Sequence, residues 1–301
     1  MYAYDRILVP TDMSDFARLA MRYGAMFRER FGSALTLMFA DEVHIPADLL
    51  EVPLGYYLDN APLSRAKLQE RLDGLANAEI GGTYETALVQ ASPARAIVQA
   101  ARNLRADLIV MGTHGRTGIR RAVLGSVTEN VLRETDVPVL TVTPNRMGAT
   151  EPGPVIRRIL CPVNFTHIAR VALEHASNAA AAFDAELAVI YVVEGIDASQ
   201  SERVELAFEQ WVDPQVRDRC RFSRLVVHDG NPAERVLAAA KSMNADLIVV
   251  GAQHKFFSDA TVIGTTTERV TRFATCPVLT VVRQARLEIF AEDRELALAD
   301  A

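Results

Sequence analysis

Residues 6–12 read RILVPTD, and residues 158–164 repeat this stretch as RILCPVN. Two further stretches recur in the same order: ADLIVMG (106–112) as ADLIVVG (245–251), and DVPVLTV (136–142) as TCPVLTV (275–281). A recurrence of this length indicates that one structural unit is encoded twice. The chain is therefore predicted to contain two similar halves.

The spacing between the repeated stretches changes along the chain. The first pair is offset by 152 residues and the later pairs by 139, so the first half carries 13 additional residues between its first and fourth strands. Residues 41–62 contain three prolines and show no clear hydrophobic period. We expect them to form a long loop or lid that the second half lacks.

Each half alternates short apolar runs with segments of helical spacing. The apolar runs are continuous, which is typical of parallel strands covered on both faces. The pattern predicts a tandem repeat of two doubly wound α/β domains, each with a five-stranded parallel sheet. The predicted domains are 1–146 and 155–283, with a C-terminal tail at 284–301.

The individual elements follow from the same periodicity. In the first half, strands are predicted at 6–11, 34–40, 84–90, 107–111 and 137–143, and helices at 14–31, 63–78, 93–104 (with Ser92 as N-cap) and 126–134. In the second half, strands are predicted at 157–163, 186–193, 221–228, 246–250 and 277–282, and helices at 166–183, 200–212, 232–243 and 265–273.

Composition excludes several classes of protein. Half of the 301 residues are hydrophobic and 23% are charged, which argues against a chiefly disordered chain. No apolar run approaches the ~18 residues of a membrane span, and a net charge of −6 offers no basic surface for nucleic acid or an anionic membrane. The three cysteines lie far apart, and the N-terminus reads as a strand instead of a secretion signal. We therefore expect a cytoplasmic protein without protein-held metal.

In doubly wound sheets, ligands bind beyond the carboxyl ends of the strands, where the winding reverses. That point is expected between the first and fourth strands of each half. In the first half, a polar and a glycine-rich segment follow these strands: Pro10-Thr11-Asp12, and the spacing G-x2-G-x9-G-S formed by Gly112, Gly115, Gly125 and Ser126.

These residue types suit the parts of a nucleotide. Glycines let backbone N–H groups approach phosphate, and a Gly-Ser step opening a helix directs free N–H groups and the positive end of the helix dipole at an anion. Ser126 and Thr128 add hydroxyl donors for phosphate oxygens, and Asp12 can accept hydrogen bonds from ribose hydroxyls. The pattern predicts a nucleotide with its sugar at the first strand and its phosphates at the helix start.

The combination of VPTD (9–12), the glycine spacing and VTENVLRETDVPVLTV (127–142) resembles the universal stress protein family, and the resemblance covers both halves, as in tandem members. It implies a Rossmann-like fold of the adenine nucleotide α-hydrolase type. It also implies ATP, or ADP or AMP, in the first half, with Mg²⁺ held through the phosphates. The residues that it places at the nucleotide are Pro10, Thr11, Asp12 and Val43 near adenine and ribose, and Gly112, Gly115, Gly125, Ser126, Val127 and Thr128 near ribose and phosphates. Met111, His114 and Arg116 adjoin these glycines in sequence and are predicted as further binding residues.

The second half departs from this pattern. Asn164 replaces Asp12, which weakens a ribose contact without abolishing it. His254 replaces Gly115, and a bulky residue is strained where the backbone must turn with positive φ. Phe256 and Phe257 make the same loop apolar. We expect one competent nucleotide site and one degenerate one.

Simpler interpretations stay open. The 112–126 loop can be a glycine-rich turn, Asp12 can be an N-cap acid of the first helix, and Arg116 can belong to a solvated face. His114 has no neighbour in sequence that would orient it as a general base. Trp211 is expected to pack within the protein instead of stacking on a base.

No Walker A sequence or kinase motif set is present, so no residue is assigned to catalysis. Three functions remain: a nucleotide-dependent switch in a stress response, a slow ATPase or self-phosphorylating enzyme with Ser126 or Thr128 as acceptor, and a dimerisation scaffold. We favour the switch, because the features of a binding site are present and those of an efficient NTPase are not.

The PVLTV strands at 138–142 and 277–281 are predicted sheet edges that need covering. In the resembling family these strands pair across a two-fold axis. We therefore expect the two halves to dock as an internal pseudo-dimer. A further homodimer of the whole chain stays open.

Overall fold

The computed structural model describes residues 4–41, 65–113, 124–143, 153–193, 201–228, 230–252, 254–257 and 260–282. The strands of the first half are β1 (Arg6–Thr11), β2 (Ala34–Asp41), β3 (Glu85–Gln90), β4 (Leu108–Gly112) and β5 (Val139–Val142). Its helices are α1 (Asp15–Phe31), α2 (Arg65–Glu79), α3 (Pro93–Leu104) and α4 (Ser126–Glu134). The predicted elements of this half are confirmed, with ends that differ by one or two residues.

The second half repeats this order and adds to it. Its strands are β6 (Arg158–Val163), β7 (Glu186–Val193), β8 (Arg221–His228), β9 (Leu247–Ala252), β10 (His254–Phe257), β11 (Ala260–Ile263) and β12 (Val278–Val282). Its helices are α5 (His167–Phe183), α6 (Ser201–Trp211), α7 (Pro214–Arg219), α8 (Pro232–Ser242) and α9 (Thr265–Phe273). The short helix α7 and the antiparallel hairpin β10–β11 are not predicted by the sequence pattern.

Ten strands form one sheet in the order β3-β2-β1-β4-β5-β12-β9-β6-β7-β8. Within each half the strands are parallel, and β1 lies between β2 and β4, so the predicted reversal of the winding is confirmed. The halves join where β12 pairs antiparallel with β5, with Leu279 opposite Leu140. The expected pairing of the two terminal strands is therefore present within one chain.

Successive residues of each strand face different cores. Ile7 and Val9 contribute to a large cluster that includes α1 and α2 of the first half and α5, α6 and α7 of the second. Leu8 faces the opposite side, where α3 and α4 cover the first half, while α8 and α9 cover the second. The core on one face is thus shared by both halves.

The aspartate of each repeated ADLIV stretch holds the start of the neighbouring strand. Asp107 accepts a hydrogen bond from the amide of Arg6 at 2.9 Å. Asp246 accepts from the amides of Arg157 and Arg158, each at 3.0 Å. This repeated contact explains the recurrence of Asp at a point far from the predicted ligand site.

Aromatic residues join the two halves on the shared face. Phe31 and Phe183 occupy the same position in the two repeats, and their rings lie 6.1 Å apart. The Tyr4 hydroxyl and His175 Nδ1 are 2.7 Å apart in a buried hydrogen bond. Contact between equivalent residues is the pattern of a two-fold interface, so the halves meet as a pseudo-dimer.

Candidate functional site

A crevice opens between β1 and β4 at their carboxyl ends. The last residues that these strands pair are Leu8 and Ile109, whereas β1 stays paired with β2 as far as Thr11. Counted on in the same register, Thr11 comes level with Gly112. Because the winding reverses between these two strands, this crevice is where ligands of doubly wound folds bind.

A hydrogen-bonded turn follows β1. The Met13 amide donates to Thr11 Oγ1 at 2.9 Å. Asp12 Oδ1 accepts from the amide of Ser14 at 3.0 Å and from its hydroxyl at 2.6 Å. Ser14 Oγ accepts from the amide of Ala17 and is the N-cap of α1. The reading of Asp12 as the N-cap acid is thus wrong: Asp12 holds the residue that caps the helix.

The residue after Asp12 has a left-handed backbone. Met13 has φ of +63°, and Phe165, at the same position of the second half, has φ of +60°. Bulky residues rarely adopt this conformation, and it persists where the surrounding structure imposes it. Met13 is buried in the shared core, which holds the turn and with it the carboxylate of Asp12.

The second half builds the same turn without a charge. The Thr166 hydroxyl donates to Asn164 Oδ1 at 2.7 Å, and Thr166 caps α5. An amide oxygen therefore accepts the hydroxyl hydrogen bond of this turn in the second half, where the first half uses a carboxylate oxygen. The turn itself does not require the negative charge of Asp12.

At the other side of the crevice, the backbone closes the loop that follows β4. Thr113 donates its amide to the carbonyl of Val142 at 3.0 Å, and the amide of Gly125 donates to the carbonyl of Thr113 at 2.8 Å. Thr113 and Gly125 therefore lie next to each other, directly before α4.

Helix α4 begins beside the crevice with a glycine as its N-cap, which has no side chain to cap the first amides. Its N-cap is Gly125, at φ −61° and ψ 143°, and no side-chain capping bond is formed there. Ser126 is exposed and Val127 is half-buried. Free N–H groups at a helix start carry a partial positive charge. This end of α4 can therefore bind an anionic group.

Thr128 has a structural contact that its sequence position does not reveal. Its hydroxyl donates to the carbonyl of Gly112 at 2.9 Å, and the residue is buried. In the second half, Thr267 donates to the carbonyl of Gly251 at 3.0 Å. The threonine thus links the helix start to the strand end in both halves. The recurrence of threonine at this position of the repeat is the sequence signal that indicates a structural role.

Two counterparts of the motif's glycines in the second half differ in their surroundings. At Gly251, the counterpart of Gly112, an added Cβ would lie 2.8 Å from the carbonyl oxygen of Ile168 in α5. At Gly264, the counterpart of Gly125, a Cβ would meet nothing within 4 Å. Helix packing therefore explains the glycine at 251, and it does not explain the one at 264.

In the second half, the hairpin β10–β11 follows the fourth strand. His254, the counterpart of Gly115, pairs with Ile263 as the first residue of β10. Its backbone is extended there, so the expected strain of a bulky residue at positive φ does not arise. The strand β11 packs against α4 of the first half.

The remaining predicted residues divide into two groups. Pro10 lies in β1 opposite Met38, and Met111 is buried in β4 opposite Thr141. The others lie outside the described residues: Val43, His114, Gly115 and Arg116, together with most of the 41–62 insertion and the 284–301 tail.

Other chemistries find no support in the described part of the chain. It contains no group of three His, Cys, Asp or Glu side chains arranged for a metal ion. None of its helices is long and apolar enough to cross a membrane. Cys161 is a buried free thiol, and burial raises its pKa, which keeps the sulfur protonated and unreactive. Trp211 is buried against Phe165 and Arg170, as expected for a packing residue.

The fold is that of a tandem, doubly wound α/β protein with a crevice at the switch point of its first half. The model of the universal stress protein family matches residues 3–143 and 156–282. The chain belongs to the universal stress protein family, with two such domains in tandem.

Individual relatives match one half or the whole chain. A universal stress protein of Methanocaldococcus jannaschii is 32% identical over 145 residues, which cover 46% of this chain and 82% of that protein. One of Mycolicibacterium smegmatis is 24% identical over 294 residues, 91% of this chain and 96% of that protein. A solved universal stress protein of Archaeoglobus fulgidus has a TM-score of 0.68 at 22% identity and covers 93% of this chain and 99% of its own. The last comparison concerns the fold alone.

Proposed function

We propose that this chain binds ATP, or another adenine nucleotide, in the crevice of its first half and acts as a nucleotide-dependent switch in a stress response. The proposal includes the cytoplasmic location expected from the sequence. Turnover is not part of it, because no residue with the position of a catalytic base has been identified among those described.

The observation that carries the proposal is the uncapped start of α4 beside the opening between β1 and β4. Phosphate oxygens would accept hydrogen bonds from the first amides of the helix and from the exposed hydroxyl of Ser126. The ribose would lie towards Asp12, whose charge the turn does not need. Mg²⁺ would be held through the phosphates.

One nucleotide per chain is proposed. In the second half, the segment that should turn tightly around phosphate begins as a strand at His254. Successive N–H groups of a paired strand point in opposite directions, alternately towards the partner strand and away from it, so the strand does not gather them around an anion. The second half would then serve as the structural partner of the first.

The test is native mass spectrometry of the whole chain with ATP and Mg²⁺. We expect one nucleotide per chain for the native sequence and at least a tenfold loss of affinity in Gly125→Val, because a branched side chain would stand where phosphate approaches. The backbone of Gly125 suits any residue, so the variant should fold. Gly264→Val is the matched control, since it adds the same side chain where nothing lies within 4 Å.

Four outcomes would contradict the proposal. Absence of binding by the native chain would favour the scaffold function, and two nucleotides per chain would mean that the second half is also competent. Equal ATP affinity of Gly125→Val and Gly264→Val would mean that the nucleotide does not bind at the start of α4. Transfer of phosphate to the protein that is lost in Ser126→Ala would make the chain a self-phosphorylating enzyme.

A further inference from the structure

Leu124 ends the loop of the proposed site and is buried against the other half of the molecule. It directly precedes Gly125 and is 4% exposed. Its hydrophobic cluster includes Leu132 of α4 and, from the second half, Ala252 and Val282. The Leu124 side chain is therefore packed in a cluster that includes residues far away in sequence. We call the residues around this side chain the seat of Leu124.

The second half supplies one wall of this seat. A small cavity between α4 and α9 is lined by Leu124 and by Thr267, Thr271 and Thr280. The Thr271 hydroxyl donates to the carbonyl of Thr267 at 2.9 Å and lies 3.5 Å from Thr280 Oγ1, with both threonines buried. Hydrogen bonds thus hold the wall in place.

The two halves differ at this wall. Thr271 is the counterpart of Leu132 in the first half. Because threonine is smaller than leucine, space remains beside Leu124, and the cavity is found there. Leu124 thus lines one small cavity together with Leu132 of its own half and these threonines of the second half.

Leu124 directly precedes Gly125 and Ser126 in the chain. The seat of Leu124 therefore determines where the backbone amides of these two residues point. We propose that Leu124 is a positioning residue for the phosphate end of the nucleotide site, and that the second half completes that site by building its seat. This inference rests on the proposed nucleotide binding, because it concerns the same helix start. It gives the second half a role in binding although its own loop is a hairpin.

The experiment compares the affinities for ATP and for adenosine, which lacks phosphates, by isothermal titration calorimetry. Leu124→Ala should lower the ratio of ATP to adenosine affinity about tenfold, since misplaced amides lose charge-assisted hydrogen bonds to phosphate alone. Leu72→Ala is the control: it removes an equally apolar, buried side chain from α2 on the opposite face. It should leave the ratio unchanged.

The contribution of the second half is tested by Thr271→Ala, which should lower the same ratio about threefold. If Leu124→Ala does not fold, Leu124→Val replaces it with a smaller expected change in the same direction. An unchanged ratio in folded variants at either position would overturn the inference while leaving nucleotide binding intact. Failure of the native chain to bind ATP would instead refute the proposed function itself.

Discussion

Ser14 and Ser92 both stand at the N-cap of a helix, and only Ser14 uses its side chain there. Ser14 Oγ accepts from the amide of Ala17 and donates to Asp12. Ser92 occupies the predicted N-cap of α3, but its side chain makes no capping hydrogen bond. The sequence predicts both positions, whereas the use of the hydroxyl depends on the local backbone.

Ser14→Ala should therefore lower the free energy of unfolding by about 1 kcal/mol, because it removes the cap of α1 and the hydroxyl that Asp12 accepts from. Ser92→Ala should cost clearly less, since no capping bond is lost. Urea denaturation of the two variants measures the difference. Equal losses would mean that the hydrogen bonds around Ser14 contribute nothing specific.

The position of Asp12 can be predicted from the sequence, but the turn that follows it cannot. Its place at the end of β1 follows from the sequence, but the left-handed conformation of Met13 does not, because methionine strongly disfavours it. Only the burial of Met13 in the shared core explains why the chain turns there.

Among the elements, the junction of β4 and α4 is held by a side-chain hydrogen bond in addition to its backbone contacts. Thr128 fastens the helix start to the carbonyl of Gly112, and Thr267 does the same at Gly251. In this arrangement the Thr128 proton is already donated within the protein. Its contribution to phosphate binding would then be through its amide, at the start of the helix.

Thr128→Val and Thr267→Val should accordingly lose similar amounts of stability, about 1–2 kcal/mol each, because each leaves a carbonyl without its hydroxyl donor while keeping the side-chain shape. Thermal or urea unfolding of both variants provides the measurement. If Thr128→Val instead lowered ATP affinity tenfold with no loss of stability, the hydroxyl would belong to the ligand site.

At the scale of the whole molecule, the buried pair of Tyr4 and His175 joins the halves. Burial lowers the pKa of His175 to about 4 and raises that of Tyr4, so both side chains are neutral at pH 7. Their hydrogen bond lies beside Phe31 and Phe183, the equivalent residues of the two repeats. The interface therefore tolerates a histidine only in its uncharged form.

The stability of the chain should fall as the pH is lowered from 7 to 5. In the unfolded chain His175 takes up a proton near its ordinary pKa of 6.5, whereas the folded chain resists protonation until about pH 4. The His175 contribution is therefore fully present above pH 6.5 and decreases by about 2 kcal/mol between pH 7 and 5.

His175→Gln, which cannot titrate, separates this effect from that of the carboxylates. Urea midpoints of the native chain and the variant, measured across this pH range, should converge as the pH falls. A constant difference between them would assign the acid sensitivity to other groups.

The repeat, the order of strands and helices and the reversal of winding beside β1 could be predicted from the sequence, because they follow from local periodicity. The sequence also indicates that the edges formed by β5 and β12 need covering. That these two strands pair with each other was implied by the resemblance to the universal stress protein family. Candidate ligand residues such as Asp12 and Ser126 were found from the local pattern, because they stand directly after predicted strands or at a helix start.

The contacts that these residues make become visible only in the tertiary structure. The hydrogen bond of Thr128, the close approach of Ile168 to Gly251 and the hairpin that begins at His254 join segments that are distant in sequence or lack a clear period. The seat of Leu124 in the second half is a contact of the same kind. Local pattern cannot reveal such contacts, because each depends on which surfaces the folded halves bring together.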